Sequence, residues 1–167
     1  MPRVVLFQPQ IPPNTGNVAR TCAATDTELH LVEPLGFAID DRQLRRAGLD
    51  YWPLVRLRRH QDWDQFRSHQ LGHNGRLVAL SRHASSSYLD FDFAADDWLL
   101  FGRESDGLPA AVQASADACL HIPMLRHSGS DGGGDEAGVR SLNLSVSVGI
   151  VLFEALRQLG GLDNRFL

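Results

Sequence analysis

Leu99-Leu100-Phe101-Gly102-Arg103-Glu104-Ser105-Asp106-Gly107-Leu108-Pro109 is the stretch that decides the fold. An unbroken apolar run stops at a glycine, a polar turn reverses the chain before Gly107, and a proline opens the next helix, as first turns accept. A buried strand that feeds straight into a helix is the building unit of a sheet covered by helices. Gly102 and Gly107 permit close backbone approach to a ligand or positive φ angles.

The same alternation extends in both directions. β-branched and apolar runs at 4–7, 29–32, 54–57, 77–80, 98–101 and 119–122 read as strands. Helical patterns fall between most of them: 16–25 after the capping-type pair Asn14-Thr15, 40–46 behind two acids, the amphipathic 62–69, and 109–116. The longest is 141–159, where Leu142, Val146, Gly149, Leu152, Phe153, Leu156 and Leu159 recur at helical spacing. Leu144, Val148 and Val151 form a neighbouring face, so this helix has one face for the core and another for a second subunit. The pattern predicts an α/β fold, a mostly parallel sheet flanked by helices.

A chain of 167 residues, 43% hydrophobic and 22% charged, is expected to form one globular domain over 1–167. No run approaches the roughly 18 apolar residues of a membrane span, and Met1-Pro2-Arg3 leads directly into a strand without a signal-peptide layout. A cytoplasmic protein with no membrane partner is the expectation. Cys22 and Cys119 stand far apart inside apolar segments and read as reduced core thiols. All sixteen basic residues are arginine, which excludes a Walker A phosphate loop, a Schiff-base enzyme and a lysine general base.

The net charge of −4 offers no general attraction for nucleic acid, so any RNA contact has to come from a local patch. One exists: Arg42, Arg45, Arg46, Arg56, Arg58 and Arg59 face the single acid Asp50. A solvated arginine face is the alternative reading. Tyr51 and Trp52 within the patch read equally well as stacking partners for loop bases or as core residues. His60, His69 and His73 are expected at the surface, and no metal is expected.

Ligands of open α/β sheets lie beyond the C-terminal ends of strands, and three loops there are unusual. Pro9-Gln10-Ile11-Pro12-Pro13-Asn14-Thr15-Gly16-Asn17-Val18-Ala19-Arg20 places polar groups at a helix N-terminus. The turn around Glu104 is the second. The third, Ile122-Pro123-Met124, is followed by Ser141-Leu142-Asn143, a self-capping helix start, after a glycine-rich stretch at 126–139 that reads as a flexible insertion. No Gly-x-Gly-x-x-Gly follows the first strand, which argues against a dinucleotide-binding Rossmann enzyme.

Ile11 to Asn17, Leu44 to Tyr51, Phe101-Gly-Arg-Glu104, Gly107-Leu-Pro109 and Ile122-Pro-Met124, in this order, resemble the SPOUT methyltransferases. The likeness spans essentially the whole chain and is nearest to the minimal members that methylate the wobble nucleotide of tRNA on its ribose 2′-hydroxyl. It implies a C-terminal deep trefoil knot, a homodimer whose site is completed across the interface, and S-adenosylmethionine as cofactor. It implies cofactor contacts at Leu80, Gly102, Ile122, Ser141 and Leu144, and catalytic roles for Asn14, Arg20, Glu104 and Asn143. Arg20 is expected on the target phosphate and ribose, Glu104 in an orienting role, and Arg42, Arg45, Arg46, Tyr51, Arg58 and Arg59 on tRNA. Val146 stands where the family's last motif has asparagine. Two alternatives stay open: ribosomal RNA or another tRNA position as target, and a noncatalytic nucleotide- or RNA-binding module.

Overall fold

The computed structural model describes residues 1–38, 51–124 and 141–161. Two expectations lie outside them: the helix at 40–46 with its arginines Arg42, Arg45 and Arg46, and the glycine-rich stretch at 126–139.

Seven strands form one sheet: β1 (Arg3–Phe7), β2 (Glu28–Val32), β3 (Leu57–His60), β4 (Leu77–Leu80), β5 (Ser86–Ser87), β6 (Trp98–Phe101) and β7 (Ala118–His121). Their spatial order is β3-β2-β1-β6-β4-β7-β5, and every pairing is parallel. Among the described residues the α-helices are α1 (Pro12–Ala24), α2 (Trp63–Leu71), α3 (Ala110–Ala114) and α4 (Leu144–Gln158). The expected α/β architecture with a parallel sheet is what the chain adopts.

The central strands are apolar throughout because both of their faces are covered. Val4, Leu6, Leu99 and Phe101 pack on one side with Val18 and Cys22 of α1 and Val148, Val151, Leu152 and Leu156 of α4. Val5, Phe7, Leu100 and Trp98 point the other way, against Phe66 of α2 and Val112 of α3. Alternation along each strand delivers both sets. On α4 the core face combines Leu144, Val148 and Val151 with Leu152 and Leu156, whereas Val146 and Phe153 are exposed, as is Leu142 just before the helix.

From β1 the chain builds outward to β2 and β3, then crosses back to fill the sheet on the other side of β1. The order reverses between β1 and β6, and the loops leaving their C-terminal ends diverge there into a crevice. Register sharpens this arrangement. Leu6 pairs with Phe101, Phe101 with Leu80, and Leu80 with Leu120, so four strands end level and their loops emerge side by side.

Several boundaries differ from expectation for local reasons. The third strand is 57–60 rather than 54–57, because Pro53 builds a 3-10 turn over Trp52–Leu54 that leaves Leu54 69% exposed. α1 starts at Pro12, with Ile11 as its N-cap, so Asn14 and Thr15 lie inside the first turn and do not cap it. Pro109 caps α3 and Asn143 caps α4, which shortens both helices at their starts. β5 has two serines and no apolar signal to announce it.

The surface expectation for the histidines is corrected. His60 is only 3% exposed, and it meets the fully buried His30 with Nε2 to Nδ1 at 2.9 Å. His69 is half-buried, stacks on His30 and lies tilted against His60, and of the three expected at the surface only His73 is exposed. Burial first, then the neighbouring histidines (His60 and His69 for His30, His69 for His60) and Arg58, push His30 down to about 3 and His60 down to about 4. Cys22 is a buried free thiol, as expected, and burial pushes it up to about 12, while Cys119 is free and half-buried.

Candidate active site

β1 runs out at Phe7 into Gln8, a non-glycine residue at φ +48°, and from there through Pro9 to the proline pair that opens α1. β6 runs out at Phe101 into a closed turn in which Arg103 N donates to Gly107 O at 3.1 Å and Gly107 N to Arg103 O at 3.0 Å. Gly107 takes φ +74°. A Cβ on Gly102 would lie 2.3 Å from the Gly107 carbonyl carbon, so the turn folds back tightly only over a glycine.

The two loops are tied by one carboxylate. Glu104 Oε2 accepts from Gln10 N at 2.8 Å, and Oε1 accepts from Ile11 N at 3.2 Å and Asn14 Nδ2 at 3.1 Å. An anion thus satisfies N–H groups at the start of α1, the positive end of its dipole. Because Asn14 is not spent as a cap, its amide also reaches the third loop: Asn14 Oδ1 accepts from Asn143 Nδ2 at 2.8 Å. Asn143 Oδ1 in turn accepts from Ser145 N at 2.8 Å and Ser145 Oγ at 2.7 Å, capping α4. Beside this chain Arg103 donates through Nε to Asp106 at 2.7 Å and through a terminal nitrogen to Gln8 Oε1 at 3.0 Å.

These loops surround a cavity of about 460 Å³, within the ordinary range for a small-molecule site. Leu80, Phe101, Leu120, Ile122 and Leu144 form apolar walls, and Asn14, Arg82, His83, Glu104, Ser141 and Asn143 supply polar groups. All five residues expected at a cofactor, Leu80, Gly102, Ile122, Ser141 and Leu144, line it, as do Asn14, Glu104 and Asn143. An apolar slot bordered by the hydroxyl of Ser141 and the amides of Asn14 and Asn143 suits a nucleoside, so the residues present fit S-adenosylmethionine.

Arg20 is not among the residues that line the cavity. It is exposed on α1 with its guanidinium carbon 4.8 Å from the Tyr51 ring centre. Tyr51 donates its hydroxyl to Gly16 O at 2.7 Å, and Tyr51 and Trp52 pack partly buried against the core. Arg58 and Arg59 lie on the edge strand β3, where Arg58 touches the His69 ring and Arg59 pairs with Glu33 at 2.6 Å. The site residues therefore form two groups, one around the cavity and one on α1 and the β3 edge. Val146, 49% exposed on α4, does not line the cavity, while Ser147 does.

Sequence reasoning missed Arg82 and His83, although the strand-end rule applied to the run at 77–80 points to them. Among the described residues no three His, Cys, Asp or Glu side chains are placed to hold a metal ion. No described helix is long and apolar enough to cross a membrane.

Comparison with known proteins supplies the context for this geometry. Residues 1–153 match the SpoU rRNA Methylase family. A Beijerinckia indica protein named tRNA (cytidine(34)-2′-O)-methyltransferase is 46% identical over 159 residues, covering 95% of this chain and 92% of its own. A solved structure reported as giving structural insights into the 2-OH methylation of C/U34 on tRNA superposes with a TM-score of 0.83 at 46% identity, covering 96% of this chain and 97% of its own. An AdoMet-bound rRNA methyltransferase from Sinorhizobium meliloti superposes with a TM-score of 0.79 at 27% identity, covering 95% of this chain and 56% of its own.

Proposed function

The chain belongs to the SpoU rRNA methylase family, and from that premise we propose that it methylates the ribose 2′-hydroxyl of the wobble nucleotide, cytidine or a modified uridine, in the tRNA anticodon loop. The observation that carries this reading is the Glu104, Asn14 and Asn143 chain joining three strand-end loops around one cavity. The relatives of matching length act, by their names, on nucleotide 34 of tRNA.

The cofactor of this family is S-adenosylmethionine, which when bound supplies an electrophilic methyl group. Leu80, Gly102, Ile122, Ser141 and Leu144 would hold it. What remains for the protein is to place the ribose oxygen and assist loss of its proton. Glu104, with three N–H groups on its oxygens, positions the loops of β1 and β6 and is not the proton acceptor. Arg20 grips the target phosphate and ribose. A free guanidinium has a pKa of about 12.5 to 13.8, so Arg20 acts by orientation and charge, and proton loss is relayed through the phosphate it holds.

The enzyme works as a homodimer. Support comes from the exposed Val146 and Phe153 on α4 and Leu142 just before it, from the open space beside Gly149, and from the position of Arg20 outside the cavity of its own chain. A second subunit covers that apolar face and brings its Arg20 to the cavity. Arg58 and Arg59, with Arg42, Arg45, Arg46 and Tyr51, extend the RNA-binding surface, and the protein acts in the cytoplasm as a single domain with a knotted C-terminal region. The test is incubation of the purified protein with labelled S-adenosylmethionine and either total tRNA or ribosomal RNA. Label in 2′-O-methylated pyrimidine from tRNA is expected, and label confined to ribosomal RNA would overturn the target.

A further inference from the structure

Resting on the reading that an RNA ribose is brought to this cavity, we propose that Arg82 grips a backbone phosphate of that RNA at the cavity mouth. Arg82 follows β4, which lies between β6 and β7 in the sheet. Its turn is well fixed: Ser81 N donates to Leu120 O at 2.9 Å, Ala84 N to Ser81 O at 3.1 Å, and His83 N to Ser81 Oγ at 3.3 Å. Arg82 and His83 are both exposed and both line the cavity, which places them at its mouth.

Among the described residues two guanidinium groups line this cavity, and they are in different states. That of Arg103 is held by Asp106 and Gln8. That of Arg82 donates only through Nε, to His83 Nε2 at 3.0 Å, and no described carboxylate lies within ion-pair distance of it. The contact to His83 orients the side chain and leaves both terminal nitrogens for a ligand. Such a fork matches two oxygens of a phosphodiester. The apolar walls at Leu80, Phe101 and Ile122 suit the nucleoside of the cofactor, so the solvent-facing mouth is left to the RNA. A chain of net charge −4 has to hold a polyanion through such local cations.

The test compares wild type, R82Q and R82K, measuring the Kd for a tRNA transcript over a range of salt and, separately, the Kd for S-adenosylmethionine. R82Q is expected to weaken tRNA binding about tenfold and to lower the salt slope by about one, with cofactor affinity unchanged. R82K keeps the slope but recovers only part of the affinity, because a lysine lacks the fork. Unchanged tRNA affinity and slope in R82Q would overturn the assignment. So would weakened cofactor binding with normal tRNA binding, which would put Arg82 on the cofactor carboxylate. A wild type that binds tRNA but transfers no methyl group would count against the proposed reaction alone, since the binding comparison still decides Arg82.

Discussion

The Glu104 carboxylate accepts a hydrogen bond from the Asn14 side-chain amide at 3.1 Å, across a separation of 90 residues. This contact closes the crevice between the loops of β1 and β6, and through Asn143 it fixes the start of α4 as well. These three loops of the cavity therefore stand or fall together.

Replacing Glu104 with glutamine keeps the shape but turns one acceptor into a donor facing the N–H groups of Gln10, Ile11 and Asn14. Leaving a donor unmatched costs about 1–3 kcal/mol. E104Q is expected to lower Tm by several degrees and to weaken cofactor binding in calorimetry. Wild-type values for both would remove Glu104 from its positioning role.

Gly102→Ala places a methyl group 2.3 Å from the Gly107 carbonyl carbon, where only backbone movement relieves the clash. Overpacking of this kind costs about 1–3 kcal/mol. G102A is expected to lose roughly tenfold or more in cofactor affinity. Gly72→Ala, whose Cβ would make only ordinary contacts of 3.4 Å and longer away from the cavity, serves as the comparison and should bind cofactor normally.

The buried histidine pair makes stability depend on pH. His30 and His60 stay neutral in the fold, with pKa values lowered from 6.5 to about 3 and about 4, while the unfolded chain protonates them near 6.5. The unfolded state thus binds more protons below that value, and stability falls as pH falls from 6.5 toward 4. The loss is expected to be on the order of 1 kcal/mol per pH unit for each histidine. Urea denaturation at several pH values checks this, and a His60→Gln variant should show a shallower dependence.

The homodimer is tested at Phe153, which is 45% exposed on α4 and so leaves the core of its own chain intact when changed. F153D is expected to sediment as a folded monomer without transferase activity. An Arg20→Ala chain, inactive alone, should regain activity when mixed with a G102A chain, because one cavity of the mixed dimer combines the intact parts of both. Absence of rescue in verified mixed dimers would place Arg20 at the cavity of its own chain.

Much of the fold was legible because central parallel strands carry unbroken apolar runs and their helices start at proline or a polar cap. Edge strands obey other demands. β3 has two exposed arginines between Leu57 and His60 and gave way in the reading to the more apolar Leu54 and Val55, which Pro53 holds in a turn. The motif residues of the cavity were legible as strand-end loops, yet nothing in their order reveals that one carboxylate binds two loops at once. The histidine array was hidden for the same reason: His30, His60 and His69 come from two strands and a helix and meet only through sheet register and helix packing.

The most direct test of the proposed reaction is to incubate tRNA with wild-type protein and S-adenosylmethionine, cut out the anticodon fragment, and determine by mass which nucleotide has gained a methyl group and on which atom. A single added methyl on the ribose 2′-oxygen of the wobble nucleotide, absent with Arg20→Ala, is the predicted result. A methyl group on a base, or on a nucleotide outside the anticodon loop, would contradict it.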